Sequence, residues 1–205
     1  MIVAIDGPAG AGKSTVARAL AGRLGFRYLD TGAMYRALAW LALERGVEAA
    51  DANALGALAG AHQVELGPGG SVAIAGYDVT AAIRAPEVDR VVSAVSAHPQ
   101  VREAMRARQR ELSLLADCVM EGRDIGTVVA PQAELKVYLV ADPDERVRRR
   151  LAQRPDASAA ELLARDAGDA ERMQPAPDAV QLDTTGLSID EVIDRIESLL
   201  RERAA

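Results

Sequence analysis

The segment from Gly7 to Ser14 is the part of the sequence best suited to chemistry on phosphate. It reads GPAGAGKS and satisfies the pattern G-x-x-x-x-G-K-[ST] at every position. Glycines let backbone N–H groups converge on phosphate oxygens, and the start of a following helix adds partial positive charge. Lys13 is expected to reach the β- and γ-phosphates and the Ser14 hydroxyl to bind Mg²⁺. The predicted triphosphate site comprises Gly7, Pro8, Ala9, Gly10, Ala11, Gly12, Lys13, Ser14 and Thr15.

The scarcity of lysine narrows what is done with the nucleotide. Lys13 and Lys136 are the only two lysines among the 24 basic residues, and the rest are arginines. The guanine-binding motif of GTPases, Asn-Lys-x-Asp, requires a second lysine. Lys136 lies in a Leu-Lys-Val context and does not provide it, and no role is assigned to this lysine from the sequence. A small-molecule kinase is therefore favoured over a GTPase.

Composition excludes several other classes. The chain has 205 residues and a net charge of −6, whereas general nucleic-acid binders usually carry a basic surface, so we expect no nucleic-acid partner. Its one cysteine, Cys118, cannot form an internal disulfide, which favours a reducing cytoplasm. The N-terminal residues lack the pattern of a signal peptide, and no apolar run is long enough for a membrane helix.

The elements that must position these residues alternate between strand and helix. Apolar runs predict strands over residues 2–5, 27–29, 118–121, 135–140 and 179–182. Helical spacing predicts helices over 14–24, 33–45, 86–95, 99–115, 143–151 and 159–167, and a last helix capped by Ser188 with Glu191 in a capping box. Residues 63–79 alternate and contain Gly67-Pro68-Gly69-Gly70, which predicts an antiparallel hairpin. The alternation predicts an α/β fold with a parallel sheet.

Further motifs carry a resemblance to a known family. They are DTGAMYR at 30–36, VVS at 91–93 with PQVR at 99–102, EGRDIGT at 121–127, Arg165-Asp166 with Asp169 and Arg172, and LDTT at 182–185. Together with the phosphate loop, they resemble the bacterial cytidylate kinases over nearly the whole chain. The resemblance implies a P-loop kinase core with a parallel sheet flanked by helices, a small antiparallel insertion in the CMP-binding domain and a short lid. It also implies Mg²⁺-dependent phosphoryl transfer from ATP to CMP or dCMP by a cytoplasmic monomer.

The resemblance also implies roles for individual residues on the acceptor side. Phosphate contacts fall to Thr31, Arg36, Arg123 and Arg172, and ribose contacts to Arg165 and Asp169. Arginine suits this role because its planar fork binds phosphate oxygens in pairs. Cytosine presents an amino donor at N4 beside an acceptor at N3, so Asp124 is expected to accept from N4 while Ser93 and Arg102 donate. Structural ion pairing with Arg123 is the alternative for Asp124.

The ATP side is expected to involve three further groups. Arg146 and Arg150 are one helical turn apart and are expected to face ATP, whereas Arg148 and Arg149 are assigned to a solvated face. Glu121 is expected to contact Mg²⁺ through water, and Asp6 is either a weaker candidate for that role or a residue that stabilises the loop. The catalytic set implied by the resemblance is Lys13, Arg123, Arg165 and Arg172.

We expect the core to comprise residues 1–38, 99–145 and 168–205, the CMP-binding insertion about 39–98 and the lid about 146–167. Against the family pattern that the resemblance implies, segments 154–165 and 173–179 read as shortened, so the resemblance does not define the geometry of the lid. Two alternatives stay open: a P-loop kinase for another nucleotide or small metabolite, and a nucleotide-binding regulator whose output is a conformational change. A different acceptor would leave Asp124→Ala nearly silent, and a regulator would turn over every monophosphate slowly.

Overall fold

The computed structural model describes residues 1–153, 166, 168 and 173–204. The strands are β1 (Ile2–Asp6), β2 (Arg27–Asp30), β3 (Val64–Leu66), β4 (Val72–Ile74), β5 (Tyr77–Asp78), β6 (Cys118–Glu121), β7 (Leu135–Val140) and β8 (Val180–Asp183). The helices are α1 (Lys13–Leu24), α2 (Thr31–Glu44), α3 (Ala52–Ala61), α4 (Pro86–Ala97), α5 (Pro99–Ser113), α6 (Pro143–Gln153) and α7 (Ile189–Ala204). The chain divides into two compact units: unit 1 contains residues 1–28 and 116–205, and unit 2 contains residues 29–115.

Unit 1 is built on a five-stranded sheet in the order β2-β6-β1-β7-β8. Strand β1 runs parallel to both of its neighbours, with Val3 opposite Val119 of β6 and Leu135 of β7. All five residues of β1 are buried, as expected for a central strand covered on both faces. The α/β fold with a parallel sheet flanked by helices is thus confirmed.

Helices α1 and α7 bury apolar stripes in the core of unit 1. Val16, Ala17 and Leu20 of α1 belong to one buried cluster with Val192 and Ile196 of α7. Helix α7 starts as its capping box predicts. The backbone N–H of Glu191 donates to the Ser188 hydroxyl at 3.3 Å, and the Glu191 carboxylate accepts from the Ser188 N–H at 2.8 Å.

Unit 2 contains the predicted hairpin as part of a three-stranded antiparallel sheet in the order β3-β4-β5. Val64 of β3 lies opposite Ile74 of β4, and a short turn over Pro68–Gly70 joins the two strands. In the same unit, the ring of Trp40 in α2 lies 5.9 Å from that of Tyr77 in β5. This small sheet confirms the antiparallel element expected beside the parallel one.

Helix α3 has no counterpart among the predicted elements. Asp51 caps its first turn by accepting from the Ala54 N–H at 2.9 Å, and the buried Leu55 and Ala59 are four residues apart. The predicted helix over 159–167 lies outside the described residues, apart from position 166. The proposed boundaries of the insertion and the lid remain predictions. Within the described part of the chain, no helix is long and apolar enough to cross a membrane.

Candidate active site

The segment between β1 and α1 forms a tight loop that only glycine accommodates at two positions. Gly7 has a φ of 144°, and a Cβ there would stand 2.2 Å from the Leu139 carbonyl oxygen. Gly10 has a φ of 78°, and its Cβ would stand 2.7 Å from the carbonyl oxygen of Arg146. The loop is therefore held against β7 and α6 by close backbone approach, as the phosphate-loop pattern requires.

Lys13 and Ser14 open helix α1 and point to different partners. The Lys13 ammonium donates to the Pro8 carbonyl at 2.8 Å. The side chain of Lys13 therefore folds back over the phosphate loop, at whose end the residue stands. The exposed Ser14 donates its hydroxyl proton to Oε2 of Glu121 at 2.8 Å. Helix α1 begins after Gly12, an N-cap residue that has no side chain to cap the helix. The positive end of the helix dipole therefore lies at the loop.

The two acids predicted near the loop have separate surroundings. Glu121, at the end of β6, is buried and accepts hydrogen bonds from the hydroxyls of Ser14 and Tyr28. Asp6 accepts from the backbone N–H groups of Ile125 at 3.0 Å and Gly126 at 2.8 Å. Burial raises the pKa of Asp6, and these two hydrogen bonds oppose that effect. Asp6 thus stabilises the turn after β6, and only Glu121 meets the Ser14 hydroxyl.

This donor set fits a magnesium ion that arrives with a nucleotide. Mg²⁺ usually keeps several waters and takes one or two protein oxygens together with substrate phosphates. Because the Ser14 hydroxyl donates its hydrogen bond to Glu121, its oxygen lone pairs are left for a cation. Glu121 supplies a carboxylate that can accept from metal-bound water. The described residues contain no group of three or more His, Cys, Asp or Glu that would hold a metal ion without the nucleotide.

A cavity of about 350 Å³ opens beside the loop, within unit 1. Backbone and side chains of residues 10–16 form one wall, and the remaining lining residues are Arg149, Ala152, Thr184, Leu187, Ser188, Ile189 and Val192. The pocket thus combines the open end of α1 with an apolar wall. Such a combination suits a ligand with an anionic group and a flat apolar ring.

Arg149 contradicts its assignment to a solvated face. Its side chain is 22% exposed, and it donates to the Thr184 hydroxyl at 2.9 Å and to the Thr184 carbonyl at 2.8 Å. Glu145, one turn earlier, accepts from the Arg149 Nε at 2.7 Å. Arg148 does lie on a solvated face, at 76% exposed. The assignment failed for Arg149 because helical spacing shows which residues share a face but not what that face meets.

The other two arginines of α6 differ from one another. Arg146 is buried, donates to the Ala9 carbonyl at 3.0 Å and pairs with Asp166, whose carboxylate also accepts from the Ala9 N–H at 3.2 Å. Arg146 therefore fixes the phosphate loop at Ala9, here called the crest of the loop. Arg150 is half-buried and is not among the described residues that line the cavity. The proposed ATP contacts of both arginines remain predictions.

The acceptor-side residues of unit 2 lie on three helices. Thr31 is buried at the start of α2, where the Asp30 carboxylate caps the helix by accepting from the Ala33 N–H at 2.8 Å. Arg36, one turn further along, is buried and forms an ion pair with Asp89 of α4. It also donates to a backbone carbonyl, that of residue 83, at 3.2 Å. A carboxylate therefore holds this guanidinium in place.

Ser93 and Arg102, the two predicted donors to cytosine, lie on α4 and α5. The Arg102 guanidinium lies 5.6 Å from the centre of the Tyr35 ring and donates to the Ser96 carbonyl at 3.3 Å. Ser96 in turn donates its hydroxyl to the Ser93 carbonyl at 3.1 Å. Ser93 and Arg102 therefore belong to one local hydrogen-bonded group in unit 2.

The acceptor-side residues of unit 1 follow β6. Asp124 is buried, and its carbonyl accepts from the N–H groups of Val128 at 2.9 Å and Val129 at 3.2 Å, which fixes it at the start of a π-helical turn over Ile125–Val129. Arg123 donates to the Gly122 carbonyl at 3.3 Å. Arg165, Asp169 and Arg172 lie outside the described residues, so their roles also remain predictions.

Sequence reasoning missed three residues around the loop: Tyr28, Arg149 and Thr184. A local signal existed for two of them, because Tyr28 lies two residues before the motif at 30–36 and Thr184 lies in LDTT at 182–185. Lys136, left without a role, forms a buried-to-surface ion pair with Asp178 at 2.9 Å. That hydrogen bond lowers the pKa of Asp178, and the pair has a structural role, linking β7 to the segment before β8.

Comparison with known proteins points to one family. The family model for cytidylate kinase matches residues 3–202. A cytidylate kinase of Solibacter usitatus is 52% identical over 217 residues, covering 99% of this chain and 93% of the relative. One from Geobacillus sp. strain WCH70 is 47% identical and covers 98% and 96%. A bifunctional pantoate ligase/cytidylate kinase of Synechococcus sp. strain CC9311 is 48% identical over 98% of this chain but only 44% of its own length.

Solved structures support the fold. A protein from Thermus thermophilus superposes with a TM-score of 0.51 at 25% identity, covering 98% of this chain and 97% of the other. Shikimate kinase from Acinetobacter baumannii, solved with shikimate, gives a TM-score of 0.50 at 16% identity, with coverages of 98% and 93%. At that identity, the second likeness speaks for the kinase fold alone.

Proposed function

Because this chain belongs to the cytidylate kinase family and is therefore a kinase acting on nucleotides, we propose that it transfers the γ-phosphoryl group of ATP to CMP or dCMP. The products are ADP and CDP or dCDP. The observation that carries the proposal is the loop over Gly7–Ser14, which opens onto a cavity of about 350 Å³ with Lys13 and the Ser14–Glu121 pair at its end. The family supplies the identity of the acceptor.

On the donor side, the chain's own groups bind and orient the triphosphate. The loop N–H groups and the start of α1 stabilise its negative charge. On nucleotide binding, Lys13 exchanges its contact with the Pro8 carbonyl for phosphate oxygens. Mg²⁺, held by Ser14 and by water on Glu121, would neutralise charge on the β- and γ-phosphates. The apolar wall formed by Leu187, Ile189 and Val192 receives the base of ATP.

On the acceptor side, arginines bind the monophosphate and polar groups read the base. Arg36, already oriented by Asp89, and Arg123 bind phosphate oxygens, joined by Arg165 and Arg172; Thr31 adds a hydroxyl. Arg165 and Asp169 bind the ribose. Phosphoryl transfer depends mainly on positioning and on stabilising charge, so no strong base is needed at the acceptor oxygen.

Discrimination between cytosine and uracil follows from the donor pattern. Asp124 accepts from the N4 amino group, while Ser93 and Arg102 donate to N3 and O2. Uracil carries an oxygen at C4 and a donor at N3, so it would turn an acceptor toward a carboxylate and leave polar groups unpaired. Unpaired buried groups give strong discrimination, and for this reason we propose a preference for CMP and dCMP over UMP.

The proposal includes a monomeric enzyme in the cytoplasm that acts on free nucleotides and not on nucleic acid. A net charge of −6 is compatible with anionic substrates when the positive charge converges locally. Sedimentation of the purified chain at assay concentration tests the oligomeric state.

A coupled assay of ADP formation with CMP, dCMP, UMP and AMP tests the function. We expect CMP and dCMP to be the preferred acceptors and Asp124→Asn to lower kcat/KM for CMP far more than for UMP. Faster turnover of AMP or UMP would refute the account of base recognition. Slow turnover of all four would favour a nucleotide-binding regulator.

A further inference from the structure

We propose that Tyr28 is a positioning residue for the metal-binding side of the phosphate loop. Its hydroxyl holds the Glu121 carboxylate in the orientation that accepts the proton of Ser14. The inference rests on the proposed function for its metal and nucleotide. The juxtaposition that carries it is a chain of three side chains, Tyr28, Glu121 and Ser14, all within unit 1.

The chain uses both oxygens of one buried carboxylate. Glu121 is 4% exposed; its Oε1 accepts from the Tyr28 hydroxyl and its Oε2 from the Ser14 hydroxyl at 2.8 Å. Strands β2 and β6, which carry Tyr28 and Glu121, are neighbours in the sheet. The two donors therefore approach the carboxylate from different elements, and together they fix the direction in which it faces.

The direction matters because a hydroxyl has one proton and two lone pairs. When Ser14 donates to Glu121, the proton is turned away from the nucleotide side and the lone pairs are left for a cation. Loss of the Tyr28 contact would remove one of the hydrogen bonds that set the terminal torsion of this carboxylate, and that torsion has a broad energy minimum. The acceptor of the Ser14 proton would then be held less firmly, and so would the direction of the Ser14 lone pairs.

The Tyr28 ring is held by contacts that do not involve its hydroxyl. It packs against the apolar cluster of unit 1, and the guanidinium carbon of Arg18 lies 5.2 Å from the ring centre. Phenylalanine preserves both contacts. The variant Tyr28→Phe therefore removes the hydrogen bond to Glu121 while leaving the packing in place.

The decisive measurement is Mn²⁺ binding to the protein–ATP complex, followed by electron paramagnetic resonance. Changing a partner that orients a metal ligand typically costs about 10- to 100-fold in metal affinity, so we expect Tyr28→Phe to weaken Mn²⁺ binding about tenfold. The melting temperature should fall by several degrees, because a hydrogen bond to a buried carboxylate is lost, but the variant should stay folded at the assay temperature, and its CMP affinity should stay near wild type. Tyr77→Phe, at a tyrosine that is 57% exposed in unit 2, is the matched control and should change nothing.

A double-mutant comparison identifies the route of the effect. In a Glu121→Gln background, Tyr28→Phe should have little further effect on Mn²⁺ affinity, because residues that act through one another are not additive. Additive losses, or a Tyr28→Phe affinity within twofold of wild type, would overturn the proposal. If Tyr28→Phe does not fold, wild-type Mn²⁺ affinity in Glu121→Gln alone would also overturn it. If the wild type does not phosphorylate CMP although Tyr28→Phe weakens Mn²⁺ binding as expected, the proposed function is refuted and the role of Tyr28 stands.

Discussion

Thr184→Val is a sharp test of the cavity beside the phosphate loop. Thr184 is 2% exposed, and its hydroxyl accepts from Arg149 at 2.9 Å. The same hydroxyl lies 3.1 Å from the Val140 carbonyl and 3.2 Å from that of Ala11, and its single proton serves one of them at a time. Valine has nearly the same shape, so the substitution removes the hydroxyl without opening a large cavity.

The expected cost follows from the two hydrogen bonds lost. One neutral hydrogen bond contributes about 1 kcal/mol, and one involving a charged group about 1.5–3 kcal/mol. We therefore expect the free energy of unfolding to fall by about 2.5–4 kcal/mol, which lowers the melting temperature by about 5–16 °C in a chain of this size. At residue 184, Arg149 then contacts only the backbone carbonyl and is held less firmly at the cavity. ATP affinity should therefore fall several-fold, while CMP affinity stays unchanged.

Urea unfolding and calorimetric titration with each nucleotide measure these effects, with Thr184→Ser as the control. Serine keeps the hydroxyl and removes one methyl group, which costs about 0.8 kcal/mol. Equal stability of the valine and serine variants would show that the hydroxyl contributes little. Equal losses of ATP and CMP affinity would show that Thr184 does not belong to a separate ATP pocket.

Three further outcomes are expected. Lys13→Met should lower kcat by a factor of about 100 or more and leave the CMP affinity unchanged. A loss of CMP affinity in this variant, measured by calorimetry, would contradict an acceptor site built from arginines. Gly7→Ala should lower the free energy of unfolding by more than the roughly 1–3 kcal/mol of backbone strain alone, because its Cβ would meet a carbonyl oxygen at 2.2 Å. Gly22→Ala is the control: this position has open space around it, so alanine should raise the free energy of unfolding in urea by about 0.5–1 kcal/mol. Burial raises the pKa of the Cys118 thiol from 9.0 to about 11. The protonated thiol therefore contributes fully to stability below pH 9, and this contribution is lost as the pH rises toward 11. The difference in free energy of unfolding between wild type and Cys118→Ala should narrow from pH 8 to pH 10, and a constant difference would refute this.

The sequence predicted the elements whose causes are local. The phosphate loop, the capping box of α7 and the hairpin in unit 2 each depend on residues a few positions apart, and each is present. Helix α3 was missed although Asp51 offered a cap, because its residues 52–61 are almost all alanine, glycine and leucine. That composition gives no polar face against which to recognise a helical period.

The missed parts of the site depend on contacts between distant segments. Thr184 meets Arg149 across 35 positions, and Tyr28 meets Glu121 across 93. The α6 arginines show the same limit, since Arg149 lines the cavity while Arg146 binds the crest of the loop. Residue type and spacing cannot distinguish such neighbours, because the distinction arises only when α6 packs against the loop.

The single tryptophan makes the two units optically distinguishable. Trp40 lies in unit 2 beside Tyr77, and no other tryptophan exists in the chain. Selectively excited emission therefore reports on residues 29–115, whereas far-ultraviolet circular dichroism averages over the helices of both units. Overlaying the two unfolding curves shows whether the units melt in one transition or in two, without any label being attached.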